Sequence, residues 1–172
     1  IARHDIQIHH LQAIISNIEQ LATTTQAPGE QETLMLFTRG PGLVWQLSAR
    51  ICGNTNPETM TLASDMGGLF SWFHMLRQPA RPGAGPVAQC TADERRLLIL
   101  NMQKTLTHHC AVFPAADRHS QLHILVMGHI IKSTCEAQLR NDRFQTLTPL
   151  RKLWMAWRLH RRYRAKSESS AG

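Results

Sequence analysis

Histidine is the residue type in this 172-residue chain that most invites a search for chemistry, because the chain contains ten of them. His119 and His123 are four residues apart, a spacing at which two imidazoles on one helix face can bind zinc. The residues between them lack the glutamate base of a metalloprotease, and the chain has no Glu-x-x-His pair of the kind found in di-iron bundles. Because third and fourth ligands are missing, the sequence predicts no metal site and no bound cofactor.

Serine, cysteine and histidine are all present, but not in a pattern that activates a nucleophile. His109 and Cys110 are neighbours in sequence, which is not a catalytic geometry, and no Gly-x-Ser-x-Gly elbow occurs. The Arg-Gly-Pro-Gly stretch at 39–42 lacks the lysine and the spacing of a phosphate-binding loop. We therefore predict a protein that is not an enzyme. An enzyme with a cofactor pocket near Gly67-Gly68 is the alternative.

The four cysteines, at positions 52, 90, 110 and 135, include no Cys-x-x-Cys pair. A chain of this length can bury a core without disulfide bonds. We expect reduced, mostly buried thiols in an intracellular protein, with two disulfides as the alternative.

The excess positive charge of the chain is concentrated at its C-terminal end. Residues 1–148 contain twelve Lys and Arg against eleven Asp and Glu, whereas residues 149–172 contain seven basic residues and one acidic residue. A nearly neutral body with a cationic end indicates a partner but does not identify it. The arginines could neutralise phosphates, pair with acidic residues of a protein, or form a solvated cationic face. The predicted partner or phosphate contacts are Arg151, Arg158, Arg161, Arg162 and Arg164.

The elements that carry these residues are predicted to be helices, because Leu, Ile, Ala, Met and Gln dominate over β-branched and aromatic types. We predict an all-α fold, a single-domain bundle of about six helices over 1–166, with a linker-like loop at 78–90 and a disordered tail at 167–172. The predicted helices span about 5–24, 32–52 with a break at 40–42, 57–78, 91–109, 117–140 and 148–166. No apolar run is long enough to cross a bilayer, and no positively charged start followed by an apolar stretch resembles a signal peptide, so a membrane partner is not predicted.

Local signals mark several helix ends. Asn56-Pro57 and Thr148-Pro149 are typical starts, Thr91 and Glu94 form a capping box, and Gly53 is a typical C-terminal glycine. Gly67-Gly68 lies inside a helix, which predicts a close helix–helix approach or a kink.

Two helices carry apolar stripes that predict how they pack. In the first helix Ile8, Leu11, Ile15, Ile18 and Leu21 predict one buried face. The last helix has two nearly opposite stripes, one of Leu150, Leu153, Trp154 and Trp157 and one of Met155, Leu159 and Tyr163. We predict that the tryptophans anchor this helix on the domain and that the arginines remain available to a partner.

Four stretches together resemble a known family. They are a leucine-rich opening helix at 10–21, Cys52 with a helix ending in Leu69-Phe70-Ser71-Trp72-Phe73, a helix of Arg, Gln and repeated Leu at 117–132, and a basic C-terminal helix at 157–165. In this order they resemble the C-terminal regulatory region of fungal aflatoxin-regulatory-type transcription factors, which control secondary-metabolite gene clusters.

The resemblance implies a function in transcription regulation. The DNA-binding part of that family is an N-terminal zinc cluster of six cysteines, which is absent from these residues, so this chain would be the non-catalytic effector portion of such a factor. Nuclear localisation and a partner from the transcription machinery, or a second copy of the chain, would follow. The chain begins at Ile1, and we expect it to be a piece of a longer protein. The alternative is a stand-alone helical module that binds nucleic acid or an acidic protein through its basic C-terminal helix.

Overall fold

The computed structural model describes residues 6–23, 30–77, 90–141 and 147–169. Every regular element within these ranges is helical, which confirms the predicted all-α bundle. The helices are α1 (Ile8–Thr23), α2 (Glu30–Phe37), α3 (Leu43–Ile51), α4 (Pro57–Leu76), α5 (Ala92–Val112), α6 (Leu122–Asn141) and α7 (Pro149–Ser169). Because α2 continues into α3 without an interruption, the described residues form six helical rods.

The predicted break at 40–42 is instead a wide helical turn. Residues Thr38–Gly42 form a π-helical segment that joins α2 directly to α3. Proline has no N–H to donate, and a wide turn with altered hydrogen bonding accommodates Pro41 inside the helix. Gly40 and Gly42 are both buried, and a Cβ on Gly42 would overlap the carbonyl oxygen of Ser64 in α4. The two glycines thus allow close packing rather than ending the helix.

Helix α4 is the centre of the bundle and contacts α2, the π-helical segment, α3, α5 and α6. Asn56 caps it as predicted, since its side chain accepts a hydrogen bond from the backbone N–H of Glu58 at 3.1 Å. Of the two alternatives predicted at Gly67-Gly68, a close approach and a kink, the structure shows the close approach. A Cβ on Gly67 would lie 2.6 Å from the Trp45 ring in α3, and one on Gly68 would lie 3.0 Å from the Thr38 backbone. The helix continues through both glycines.

The hydrophobic core surrounds α4 and draws on the other helices. Its most deeply buried large side chains are Met66 and Leu76 of α4, Ile99, Met102 and Leu106 of α5, Phe113, and Ile124 and Leu125 of α6. Helix α7 adds Leu159 and Tyr163 to the same cluster. This contiguous core is typical of a single domain.

The helices α5 and α6 differ in how well their starts could be predicted. The capping box of α5 is present: Thr91 Oγ1 accepts from the Glu94 N–H, and the Thr91 N–H donates to Glu94 Oε2 at 2.8 Å. Helix α6 begins at Leu122, five residues later than expected. The carboxylate of Asp117 instead accepts hydrogen bonds from Thr59 Oγ1 at 2.5 Å and Asn56 Nδ2 at 3.0 Å, so it holds a short 3-10 turn against the start of α4.

Two other predictions concern the loop at 78–90 and the C-terminal tail at 167–172. Residues 78–89 of the predicted linker-like loop lie outside the described residues. At the C-terminus, where residues 167–172 were predicted to be a disordered tail, α7 continues to Ser169 and residues 170–172 lie outside the description.

The predicted buried stripe of α1 is wrong for its four described side chains, and the side chain of Leu21 lies outside the described residues. Ile8 and Ile15 are 74% and 58% exposed, and Leu11 and Ile18 are also exposed. The opposite side of the helix is half-buried, where Asn17 packs its Cβ against Gly40 in the π-helical segment. Because Gly40 has no side chain, the backbone of α1 can approach there, and this contact turns the isoleucines outward.

Candidate interaction surface on the last helix

Helix α7 packs on the domain through the stripe that contains Leu159 and Tyr163. Both side chains are 7% exposed and belong to the core cluster, and Met155 on the same stripe is half-buried. The other stripe faces outward, with Trp154 and Trp157 53% and 54% exposed. The prediction that the tryptophans anchor this helix is therefore wrong, because the two stripes have exchanged roles.

The arginines that follow the tryptophans in sequence explain why α7 packs through Leu159 and Tyr163. Arg161 and Arg164 lie four and seven residues after Trp157, on the same side of the helix. If the tryptophans packed inward, these guanidinium groups would be drawn towards the core, where a charge without a partner is strongly unfavourable. With Leu159 and Tyr163 inward, both arginines remain exposed. The guanidinium of Arg118 also packs over the Tyr163 ring, 5.9 Å from its centroid.

The outward side of α7 combines large apolar side chains with cations, and we call it the tryptophan–arginine face. It consists of Leu150, Leu153, Trp154, Trp157, Arg158 and Arg161. The Arg158 guanidinium lies 5.3 Å from the Trp154 ring centroid, and that of Arg161 lies 5.0 Å from the Trp157 ring centroid. Both pairs are spaced i, i+4. These cation–π contacts hold each planar cation against an indole that stays accessible from outside.

All five arginines predicted as partner contacts are exposed. Arg158 and Arg161 belong to the tryptophan–arginine face, and Arg164 follows one turn after Arg161. Arg151 and Arg162 line up with Arg158 along one edge of the helix. Arg162 lies towards α6, where burial is the main cause of a lowered pKa of His129 and the charges of Lys132 and Arg162 lower it further. The fold therefore brings three of the five arginines together beside the tryptophans.

The histidines of the candidate zinc spacing are separated by the fold. His119 lies in the turn that precedes α6, so it does not share a helix face with His123. Its ring is 5.8 Å from that of His160 in α7. Across the described parts of the chain, no group of three or more His, Cys, Asp or Glu side chains is arranged to hold a metal ion.

One pair of reactive side chains was missed by sequence reasoning, because its members are 75 residues apart. Ser48 Oγ and His123 Nε2 lie 3.0 Å from each other, between α3 and α6. Burial lowers the pKa of His123, so its imidazole is neutral at pH 7 and can accept a proton. Nucleophilic catalysis also requires a group that orients the base and an oxyanion site. No hydrogen bond to the second ring nitrogen of His123 is found among the described residues.

The cysteines are thiols in differing environments. Cys52 is exposed, Cys90 is half-buried, and Cys110 and Cys135 are buried. Burial raises the pKa of Cys110 to about 11 and that of Cys135 to about 12. Both are therefore protonated at pH 7 and are poor nucleophiles, and the sequence neighbours His109 and Cys110 do not form an activated pair.

None of the described helices has the length and apolar character needed to span a membrane. Comparison with protein-family models, with curated proteins and with solved structures gave no match.

Proposed function

We propose that this chain is a non-catalytic regulatory domain that binds an acidic protein partner through the tryptophan–arginine face of α7. The observation that carries the proposal is the outward orientation of Trp154 and Trp157, each more than half exposed and each covered in part by an arginine.

The apolar content of the face supports a protein partner. Leu150 and Leu153 are 79% and 66% exposed, and they extend the two indoles over about two turns of helix. Clustered apolar side chains of this size on a surface mark interaction sites, and Trp and Arg are the types that dominate binding energy at protein interfaces. The phosphate groups of a nucleic acid offer no apolar contact to the two leucines, whereas an amphipathic protein segment does.

The charge of the face supports an acidic partner. Arg158, Arg161 and Arg164 lie beside and beyond Trp157, so the face is apolar in its first half and cationic in its second. An amphipathic helix with an apolar stripe and carboxylates at one end complements both halves. Arginine forms bidentate hydrogen bonds to carboxylates, and partial desolvation at such an interface would strengthen them.

The setting of this interaction is proposed from the family resemblance. As the effector portion of a transcription factor that controls secondary-metabolite genes, the chain would act in the nucleus and hold a component of the transcription machinery. Binding of nucleic acid by the same helix is the competing proposal. It requires that the arginines contact phosphates in a salt-dependent manner.

Binding of two defined probes to the isolated chain tests the proposal. The first probe is a Leu- and Glu-rich amphipathic peptide of about 20 residues, and the second is a DNA duplex of about 20 base pairs. We expect saturable binding of the peptide, at least about tenfold weaker for Trp154→Ala/Trp157→Ala and for Arg158→Glu/Arg161→Glu. Leu97→Ala and Lys104→Glu, at exposed positions on α5, are the matched controls and should bind like the parent.

Two outcomes would reject the acidic-protein proposal. One is peptide binding that is unchanged in the double tryptophan variant. The other is tight binding of the duplex, steeply weakened by salt and by Arg158→Glu/Arg161→Glu but insensitive to the tryptophan changes. That second pattern is expected if the chain binds nucleic acid through its arginines.

A reporter assay tests the transcriptional setting separately. The chain is fused to a heterologous DNA-binding domain in yeast, upstream of a reporter gene. We expect activation that is lost in Trp154→Ala/Trp157→Ala and kept in Leu97→Ala, at equal protein levels. If the parent fusion is well expressed and folded but does not activate the reporter, the effector proposal is wrong. Binding of the acidic peptide is then judged from the peptide measurement alone.

A further inference from the structure

Helix α1 carries an apolar stripe that faces away from the domain, and we call it the α1 stripe. It consists of Ile8, Leu11, Ile15 and Ile18, which are 74%, 45%, 58% and 50% exposed. These residues follow one another at spacings of 3, 4 and 3, which is the repeat of the a and d positions in a coiled coil. A stripe with this repeat is complementary to a second helix of the same kind.

The other side of α1 holds the helix in place. Four of its side chains are half-buried, namely those of His10, Ala13, Ile14 and Asn17. The helix packs there on α2, on the π-helical segment and on α3. An isolated helix of 16 residues is marginal in water, whereas this one is ordered by its own domain. The α1 stripe is therefore a preformed surface, and association does not have to order it.

The charge of α1 favours a second copy of the chain over the acidic partner proposed for α7. Between Ile8 and Thr23 the sequence contains no Lys or Arg, and Glu19 is the single acidic residue. An acidic segment would find no Lys or Arg on this helix to pair with. Two copies that each carry a net charge of +7 repel one another through their cationic surfaces. They approach most easily through a helix that has none of these cations.

The area of the α1 stripe indicates how strong such a contact would be. At about 30 Å² of apolar surface per carbon atom, the exposed parts of the four side chains amount to roughly 300 Å² in each copy. The exposed polar residues Gln12, Ser16 and Glu19 border the stripe and would be partly covered. Two copies would then bury about 1,000 Å² in total, which is the lower limit for a specific interface. This area predicts a weak dimer.

We infer that two copies of the chain form a dimer through the α1 stripe, with the two helices antiparallel. The spacing of 3, 4 and 3 is the same in both directions, so Ile8 of one copy packs against Ile18 of the other. Leu11 then packs against Ile15. The antiparallel direction places each Glu19 carboxylate near the positive N-terminal end of the other copy's helix. A parallel pair would bring both carboxylates to one end, beside two negative C-termini.

Sedimentation equilibrium of the full chain tests the inference. Over a range from about 5 to about 500 μM, we expect a monomer–dimer equilibrium with a Kd on the order of 10–100 μM. Raising NaCl from about 50 to about 500 mM should leave the Kd unchanged or lower it, because salt screens the repulsion between cationic copies and does not weaken apolar contacts.

Variants assign the dimer to the α1 stripe. Ile15→Glu should raise the Kd at least about tenfold, because the dimer would bury an unpaired carboxylate. Leu97→Glu on α5 is the matched control, since Leu97 is 57% exposed, and it should dimerise like the parent. Ile8→Ser, at the most exposed position of the stripe, should raise the Kd at least about threefold. The parent circular dichroism spectrum and Tm should be kept, because all three side chains are exposed.

NMR on a mixture of isotope-labelled and unlabelled chains tests the direction of the helices. Nuclear Overhauser effects filtered for contacts between copies should connect the methyl groups of Ile8 to those of Ile18. Contacts from Ile8 to Ile8 of the other copy would overturn the antiparallel arrangement.

Three further results would overturn the inference. One is a chain that stays monomeric over the whole concentration range, and another is a dimer whose Kd is unchanged in both Ile15→Glu and Ile8→Ser. The third is a dimer that is lost in Trp154→Ala/Trp157→Ala and kept in Ile15→Glu, which would place the contact on α7. None of them decides whether α7 binds the acidic peptide, because Ile15→Glu leaves the tryptophan–arginine face unchanged.

Discussion

Asp65 and His109 face each other across α4 and α5, with Oδ2 and Nε2 3.9 Å apart, yet they do not form an ion pair at neutral pH. Burial raises the pKa of Asp65 and lowers the pKa of His109, and in both groups burial outweighs the attraction of the partner's charge. An ion pair would require shifts in the opposite directions. The imidazole of His109 is therefore neutral at pH 7, and it does not supply a positive charge to the carboxylate of Asp65.

We expect Asp65→Asn to leave the protein at least as stable at pH 7 as the parent. A carboxylate whose pKa is raised on folding destabilises the folded state above that pKa, and asparagine removes the buried charge. Thermal unfolding at pH 7 gives the measurement. A clear fall in Tm would mean that the two side chains do pair, contrary to their pKa directions.

Four histidines should make the fold sensitive to mild acid. His74, His109, His123 and His129 all have a pKa lowered mainly by burial. The unfolded chain then binds more protons below about pH 6.5, so the free energy of unfolding falls as pH decreases from there towards the lowered folded values. Asp65 acts in the opposite direction because its pKa is raised.

Urea unfolding at pH 7.5 and 5.5, with His109→Gln as a comparison, measures this dependence. We expect the parent to lose stability between the two values and the variant to lose less, since one titrating group is gone. Equal stability of the parent at both pH values would show that the imidazoles are more solvated than their packing indicates.

The two sides of α7 should respond oppositely to truncation. Leu159→Ala removes a buried core side chain and should lower the free energy of unfolding by about 2–5 kcal/mol. Trp154→Ala changes an exposed side chain and should cost no more than about 0.5–1 kcal/mol, despite removing far more atoms. Chemical denaturation of both variants compares them directly. A larger loss of unfolding free energy for Trp154→Ala than for Leu159→Ala would instead indicate that the tryptophans anchor the helix.

Gly67→Ala should destabilise the protein by about 1–3 kcal/mol, although alanine is the better helix former. The added methyl would overlap the Cβ and ring atoms of Trp45, which lie close to the α3 backbone and cannot easily move. Gly128→Ala in α6 is the matched comparison, because there the methyl meets the flexible end of the Met66 side chain, which can move. We expect a smaller loss at position 128, and the reverse order in thermal unfolding would contradict this packing.

Thiol labelling should divide the cysteines by burial. At pH 8, Cys52 should react with a thiol reagent in the folded protein, whereas Cys110 and Cys135 should react only after denaturant is added. Their thiols are shielded, and pKa values of about 11 and about 12 leave little thiolate. Mass spectrometry of the labelled peptides identifies the sites, and Cys52→Ser supplies the control. Early labelling of Cys135 would point to opening of α6 in the native state.

Local signals in the sequence determined much of this structure. The capping box at Thr91, the cap at Asn56 and the left-handed Gly53, with φ +82°, depend on neighbours within a few residues. Such interactions form within one turn of chain, so their residue types suffice to predict them. The helical class followed from composition, whereas the glycine pair at 67–68 left a close approach and a kink as alternatives. The late start of α6 did not follow from local signals, because Asp117 bonds to Thr59, 58 residues earlier in the chain.

The orientation of whole helices was decided only by tertiary structure. Helix α7 has two apolar stripes of similar size, and residue types alone do not predict which of them packs against the rest of the domain. The outcome depends on the shape of the α6 surface and on the unfavourable burial of Arg161 and Arg164, which follow Trp157. Likewise, α1 packs against the domain through the contact of Asn17 with Gly40, and not through its isoleucine stripe. The interaction surface therefore depends on packing between distant segments, which no local pattern encodes.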